Sequence, residues 1–137
     1  MSDSRDILVS NDFTDMEYRK NNILSILGMS PDNLNKFSEK LEQYKYISSM
    51  LLLNVGSYIR WIPIKDLQNS RSTTAHELKL TNGGIVISVV DINGKVYIKC
   101  KNNNGNIYQL NIMHNVIFQK LTDQEKVIMD AVRFIKN

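Results

Sequence analysis

The sequence predicts an α+β fold in which an N-terminal helical hairpin precedes a five- to six-stranded antiparallel meander or small SH3- or OB-like barrel, closed by a C-terminal helix. Three observations carry that expectation. Two Asn-Gly turns cut residues 85–112 into strands of alternating polarity. Helix-start signals stand at Ser30-Pro31 and at Thr122-Asp123-Gln124-Glu125. Short β-favouring runs separated by Gly and Asn fill residues 57–121, with no repeat of helical or propeller type. A chain of 137 residues is long enough to bury one core without staples. We read residues 1–12 as a flexible tail and 13–137 as a single domain, made of a hairpin (13–53), a β-rich part (55–121) and a final helix (122–136).

Residues 1–12 are polar apart from Ile7-Leu8-Val9, which suits a tail. Asp15 can cap a first helix over 16–27, with Ile23, Ile26 and Leu27 as its apolar stripe and Gly28 as its stop. In the second helix Ser30 is the N-cap, Pro31 takes the first helical position, and Asp32 places negative charge where the helix dipole favours it. Leu34, Phe37, Leu41 and Tyr44 then recur at three- and four-residue spacing. That seam either packs on the first helix or forms an oligomer interface through these four residues. The apolar run 50–53 extends the helix as far as Leu53. Beyond Val55, Ser57-Tyr58-Ile59-Arg60-Trp61-Ile62 reads as a strand with Ile59 and Trp61 on the buried face and Tyr58 and Arg60 on the other. Residues 65–75 read as an exposed loop, 77–80 as a short strand and 115–121 as the last strand. In the final helix Thr122 and Glu125 form a capping box, and Val127, Ile128, Ala131, Val132 and Ile135 form the buried stripe.

The hairpins allow individual side chains to be assigned to faces. Asn93-Gly94 suits a two-residue type I′ turn, because both central residues need positive φ and Asn and Gly reach it at low cost. The turn sets Asp91 opposite Val96, Val89 opposite Ile98 and Ile87 opposite Cys100 on one largely apolar face. Lys95, Tyr97, Lys99 and Lys101 take the other face. A two-residue loop at Asn104-Gly105 would put Tyr108, Leu110 and Ile112 on the lysine side and split the core. A three-residue loop, Asn103-Asn104-Gly105, with Gly105 left-handed, instead pairs Cys100 with Tyr108, Ile98 with Leu110 and Val96 with Ile112. We take the second, which continues the polar face through Gln109 and Asn111.

The net charge is +3, unevenly spread. Residues 1–48 carry a balance of −2, residues 49–121 a balance of +5, and the remainder is neutral. A cationic β-rich part suits a polyanion or an acidic partner, and equally an ordinary solvated sheet face. The single cysteine allows no intrachain disulfide and points to a reducing, intracellular compartment. Residues 1–9 lack the basic and apolar regions of a secretion signal, and the longest apolar run, 50–53, is too short to span a bilayer, so we expect a soluble protein that is neither exported nor bound to membranes.

Candidate catalytic chemistry is thin. A nucleophilic dyad needs Cys100 beside His76 or His114, yet the register turns Cys100 inward, where a cysteine behaves as a small apolar residue. One cysteine and two separated histidines give no zinc spacing. Asn82-Gly83-Gly84 lacks the lysine and the following helix of a phosphate loop. Asp91 adjoins a turn, and neither it nor Asp66 has a partner carboxylate in sequence. We therefore expect neither enzyme activity nor a cofactor. What remains is binding. Tyr58, Arg60, Lys95, Tyr97, Lys99 and Lys101 supply aromatic and cationic groups of the kind small barrels use to stack bases and neutralise phosphates.

Gly56-Ser57-Tyr58-Ile59-Arg60-Trp61-Ile62, Asn82-Gly83-Gly84-Ile85-Val86-Ile87 and Asn115-Val116-Ile117-Phe118 resemble segments of small, Asn- and Lys-rich proteins of large nucleocytoplasmic DNA viruses. The resemblance spans residues 55–121. Asn and Ile each occur 16 times against two Ala, a bias towards AT-rich codons. The resemblance implies a virion-associated or infected-cell protein without enzymatic activity, located in the host cytoplasm or the particle, and carries over no functional residue. Taken together, the expected function is a non-catalytic structural or interaction protein whose partner is itself or another protein. A sequence-independent DNA- or RNA-binding barrel is the alternative.

Overall fold

The computed structural model describes the backbone of residues 4–64 and 78–136, with side chains over 14–64 and 78–135. Among these residues lie helices α1 (Ser4–Ile26), α2 (Pro31–Lys40) and α3 (Asp123–Lys136). The strands are β1 (Tyr44–Tyr46), β2 (Tyr58–Pro63), β3 (Gly84–Ile92), β4 (Lys95–Lys101), β5 (Ile107–Asn111) and β6 (Asn115–Lys120). They form one antiparallel sheet in the order β1-β6-β2-β3-β4-β5. Strands β2 to β5 pair in succession, a 3-10 turn at Ile112–His114 follows, and β6 returns beside β2. This is an α+β fold with an open antiparallel sheet, the meander expected, rather than a closed barrel.

The sheet curls on itself. Trp61 on β2 and Tyr108 on β5 meet edge to face with ring centroids 6.2 Å apart. Three strand steps of ~4.8 Å would hold them about 14 Å apart in a flat sheet. Inside the curl Ile59, Trp61, Val86, Ile98, Cys100, Leu110 and Ile117 form the first core, topped by Ile47 and Leu53. On the opposite face of β6 and β2, Ile62, Val116 and Phe118 pack beneath Leu24 of α1, Leu27 just past its end, and Phe37 and Leu41 of the α2 end. Strand β6 is therefore buried on both faces, which is why Val116-Ile117-Phe118 reads as an unbroken apolar run. Gln119 completes it. Its side-chain Oε1 accepts from Asn54 N at 2.8 Å, tying the 49–54 segment over the curl.

Several expectations need correction. Helix α1 starts at Ser4, inside the predicted tail: no Pro or Gly interrupts the chain before Gly28, and Asp15 pairs with Arg19 one turn on (3.0 Å) rather than capping. The helical hairpin does not reach Leu53, because α2 stops at Lys40. The buried Lys20 ammonium donates to Leu41 O (3.0 Å) and Tyr44 O (3.2 Å), joining α1 to the turn between α2 and β1. Burial lowers its pKa, against the pull of Glu17. Tyr44-Lys45-Tyr46 then pairs with β6 as a strand. Of the predicted strand at 77–80, residue 77 lies outside the described residues and Leu78, Lys79 and Leu80 are irregular. There Thr81 N donates to Trp61 O (3.0 Å) while Thr81 Oγ1 accepts from Trp61 N (3.1 Å), so a hydroxyl replaces a ladder carbonyl.

The capping box of α3 forms: Thr122 N donates to Glu125 Oε1 (3.0 Å) and Glu125 N to Thr122 Oγ1 (3.1 Å). The stripe is rotated from its predicted position. Met129 and Val132 are buried with Leu121, flanked by Met16 and Ile128, whereas Val127, Ala131 and Ile135 face solvent. Lys45 Nζ to Glu125 Oε2 (2.8 Å) and Arg133 to Glu17 (3.5 Å) and Glu42 (3.3 Å) set that rotation.

Candidate functional site

The two turns that build the open half of the sheet have the predicted chemistry. Asn93 (φ 55°) and Gly94 (φ 82°) are both left-handed, and Gly94 N donates to Asp91 Oδ1 at 2.9 Å. In the next loop Gly105 (φ 84°) donates to Asn102 O and Asn102 N donates to Asn106 O, both at 3.0 Å, closing the three-residue form. Asn102 Oδ1 accepts from Asn104 N and Asn106 N and braces it. Pairs Asp91–Val96, Val89–Ile98, Ile98–Leu110 and Cys100–Tyr108 match the expected register. Two pairs do not. A bulge after Val86 sets Val86, not Ile87, opposite Cys100, and leaves Ile87 exposed. Ile112 opens the 3-10 turn instead of pairing with Val96.

Cross-strand rows define the outer face. Tyr58, Ile85, Lys101 and Ile107 form one row, Ser88, Lys99 and Gln109 the next, then Val90, Tyr97 and Asn111, and finally Ile92 and Lys95. Lys95, Lys99 and Lys101 thus share a face with the half-buried Tyr97, and none of the ion pairs among the described residues involves these lysines. Tyr58 stands at the margin of that surface, its hydroxyl donating to Asn82 O. Arg60 is separated from it: it lies opposite Phe118, and its Nε donates to Thr81 O at 2.8 Å. The helical seam is used within the chain. Phe37 and Leu41 are buried, and Leu34 and Tyr44 pack against the same core, so these four side chains are not free for a second copy.

The sequence offers exposed sheet edges as interfaces without saying which; the strand order puts one of them at the outer side of β5. Strand β5 ends the sheet, and among the described residues no strand pairs with its outer side. From Ile107 to Asn111 it carries no charge and no proline, and Ile107 and Tyr108 are 64% and 43% exposed. Edge strands are ordinarily protected by just those residue types. An uncharged five-residue strand placed last in the meander was the available signal.

Cys100 is fully buried, and burial pushes its thiol pKa up to about 11, so at neutral pH it is a protonated core group. His114 lines an open groove with Lys95 and Tyr97, towards the opposite end of β4 from Cys100. His76, Asp66 and the predicted loop 65–75 lie outside the described residues. Among the described residues no cluster of three His, Cys, Asp or Glu side chains could hold a metal ion, and no helix is long and apolar enough to cross a membrane. Compared with family models, curated proteins and solved structures, the chain matches none.

Proposed function

We propose that this is a non-catalytic protein that works through protein contacts, associating with copies of itself along the outer edge of β5. The observation that carries the reading is the unpaired, uncharged edge from Ile107 to Asn111, flanked by exposed apolar side chains. An antiparallel pairing of two such edges extends the sheet from one copy into the next and satisfies backbone groups that otherwise face water. The lysines do not oppose it. Lys99 stands one strand in from the edge, so its counterpart across the junction is three strand spacings away, ~14 Å, beyond the screening length of about 8 Å at physiological salt. The likeness to small proteins of large DNA viruses makes a particle component our reading of the biological setting. Light scattering across a concentration series tests the association. The wild type should exceed the 15.8 kDa of one chain, and Ile107→Lys with Gln109→Lys should return it to that mass. A wild type that stays at one chain's mass at every concentration contradicts the reading.

Lys95, Lys99 and Lys101, which pair with no carboxylate among the described residues, favour a second reading, sequence-independent binding of DNA or RNA. Each phosphate neutralised contributes a slope of about 0.9 to the dependence of log affinity on log salt for duplex DNA. Replacing Lys95, Lys99 and Lys101 by alanine should lower that slope by about 2 to 3. An unchanged slope and affinity exclude this face as the binding surface.

A further inference from the structure

We infer that the end of the curled sheet beside the Asn-rich loop is a binding cleft for an uncharged, hydroxyl-rich ring, that is, one or two sugar units of a neutral glycan. The cleft encloses about 450 Å³ between the start of β2, the approach to β3 and the β4–β5 loop. Three aromatic residues form its walls, Tyr58, Trp61 and Tyr108, with Trp61 and Tyr108 locked edge to face. Its polar groups are Thr81 and the carboxamides of Asn82, Asn102, Asn103 and Asn104. Among the described residues no Asp, Glu, Lys, Arg or His lines it.

That lining selects a ligand class. A carboxamide presents a donor and an acceptor side by side, matching the vicinal hydroxyls of a sugar, which also donate and accept. An aromatic wall suits the C–H face of the same ring, so one ligand with an apolar face and a polar rim uses both halves of the cleft. The amides are placed for the task unequally. Asn102 is engaged in bracing its loop and in donating to Tyr108 Oη (3.4 Å), whereas Asn82, Asn103 and Asn104 are exposed at the rim. The Asn102 bond steadies the phenol that a sugar would lie against. Gly83 lets the segment before β3 close onto β2 at the base of the cleft, since a Cβ there would lie 2.2 Å from Ile59 O. A nucleobase would also stack on such walls, but each nucleotide brings a phosphate, and among the described residues no cation lines the cleft; Lys101, in the same cross-strand row as Tyr58, belongs to the outer face. Lys95 and Lys99 stand on the outer face of the sheet, whereas Trp61 and Tyr108 face the inside of the curl.

Trp61 is the only tryptophan of the chain and lines the cleft, so its indole N–H is a single, unambiguous reporter of that residue. The experiment titrates the full chain with neutral trisaccharides of glucose, mannose and N-acetylglucosamine, and separately with uncharged nucleosides and a single-stranded oligonucleotide, and follows amide and indole resonances. At least one trisaccharide should shift the Trp61 indole together with the amides of Thr81, Asn82 and the 102–105 loop. Asn103→Ala and Asn104→Ala, both on the exposed loop, should each weaken that binding about five-fold, and Tyr108→Ala should abolish it. No shift with any trisaccharide, shifts with nucleosides or the oligonucleotide alone, or binding that survives all three substitutions overturns the inference. None of these outcomes depends on the pairing of β5 edges, which is read from mass.

Discussion

The two halves of the sheet are built from the same kinds of strand and meet different fates. Strands β6 and β2 are covered twice, by the curl of the sheet on one side and by α1 and α2 on the other. Strands β3, β4 and β5 are covered once, and their outer face is left with three lysines, exposed Ile85, Ile92 and Ile107, and an unpaired edge. The first half holds the molecule together; the second presents it. A substitution should therefore cost stability on β6 and alter association or binding on β4 and β5.

The largest effect is expected at Phe118, fully buried on β6 between the sheet and the helices. Phe118→Ala should lower the unfolding free energy by about 3–5 kcal/mol in a denaturant titration. A loss below about 1 kcal/mol would mean the helices contribute little to the doubly covered half. Next is Gln119→Leu, which removes the acceptor of Asn54 N and leaves that amide without a partner under the 49–54 segment. A cost of about 1–3 kcal/mol is expected, with faster exchange of the Asn54 amide.

A smaller, pH-dependent effect is expected at Glu125. Burial alone would raise its pKa, but the Lys45 bond and the Thr122 bonds together hold the carboxyl below its ordinary 4.5. A lowered folded pKa gives stability that is present above pH 4.5 and lost as pH falls through the folded value. Glu125→Gln should remove this part of the acid dependence and cost about 1 kcal/mol at neutral pH. Unchanged acid dependence in the variant would contradict the link between β1 and α3. The smallest effect on stability belongs to the open half: alanine at Lys95, Lys99 and Lys101 together should move it by no more than about 0.5 kcal/mol. A larger loss in thermal unfolding would show that these side chains serve the fold.

The face assignments on β3, β4 and β5 were legible because turn chemistry fixes register. Asn93-Gly94 and Asn103-Asn104-Gly105 each admit few backbone forms, and register then decides which of Ile98, Lys99, Cys100 and Lys101 point inward. Ile87 was misplaced because nothing in an all-β-branched run such as Ile85-Val86-Ile87 marks where a bulge falls. The reach of α2 was misread because the apolar residues 50–53 suit a helix as well as a 3-10 turn. The choice was made elsewhere in the chain, by Lys20 at the α2 end and by β6 as a partner for Tyr44-Lys45-Tyr46. The rotation of α3 was equally invisible, since it depends on Lys45, Glu17 and Glu42. For the site, the lysine face followed from periodicity, whereas the β5 edge and the Asn-rich cleft required the strand order and the curl.

Native-state amide hydrogen exchange at two protein concentrations addresses the contrast between the halves most directly. Amides of β6 should be strongly protected and insensitive to concentration, and those of β5 less protected when dilute and slower to exchange when concentrated. Protection of β5 equal to that of β6 in dilute solution, with no response to concentration, would contradict both the open half and the contact it is argued to make.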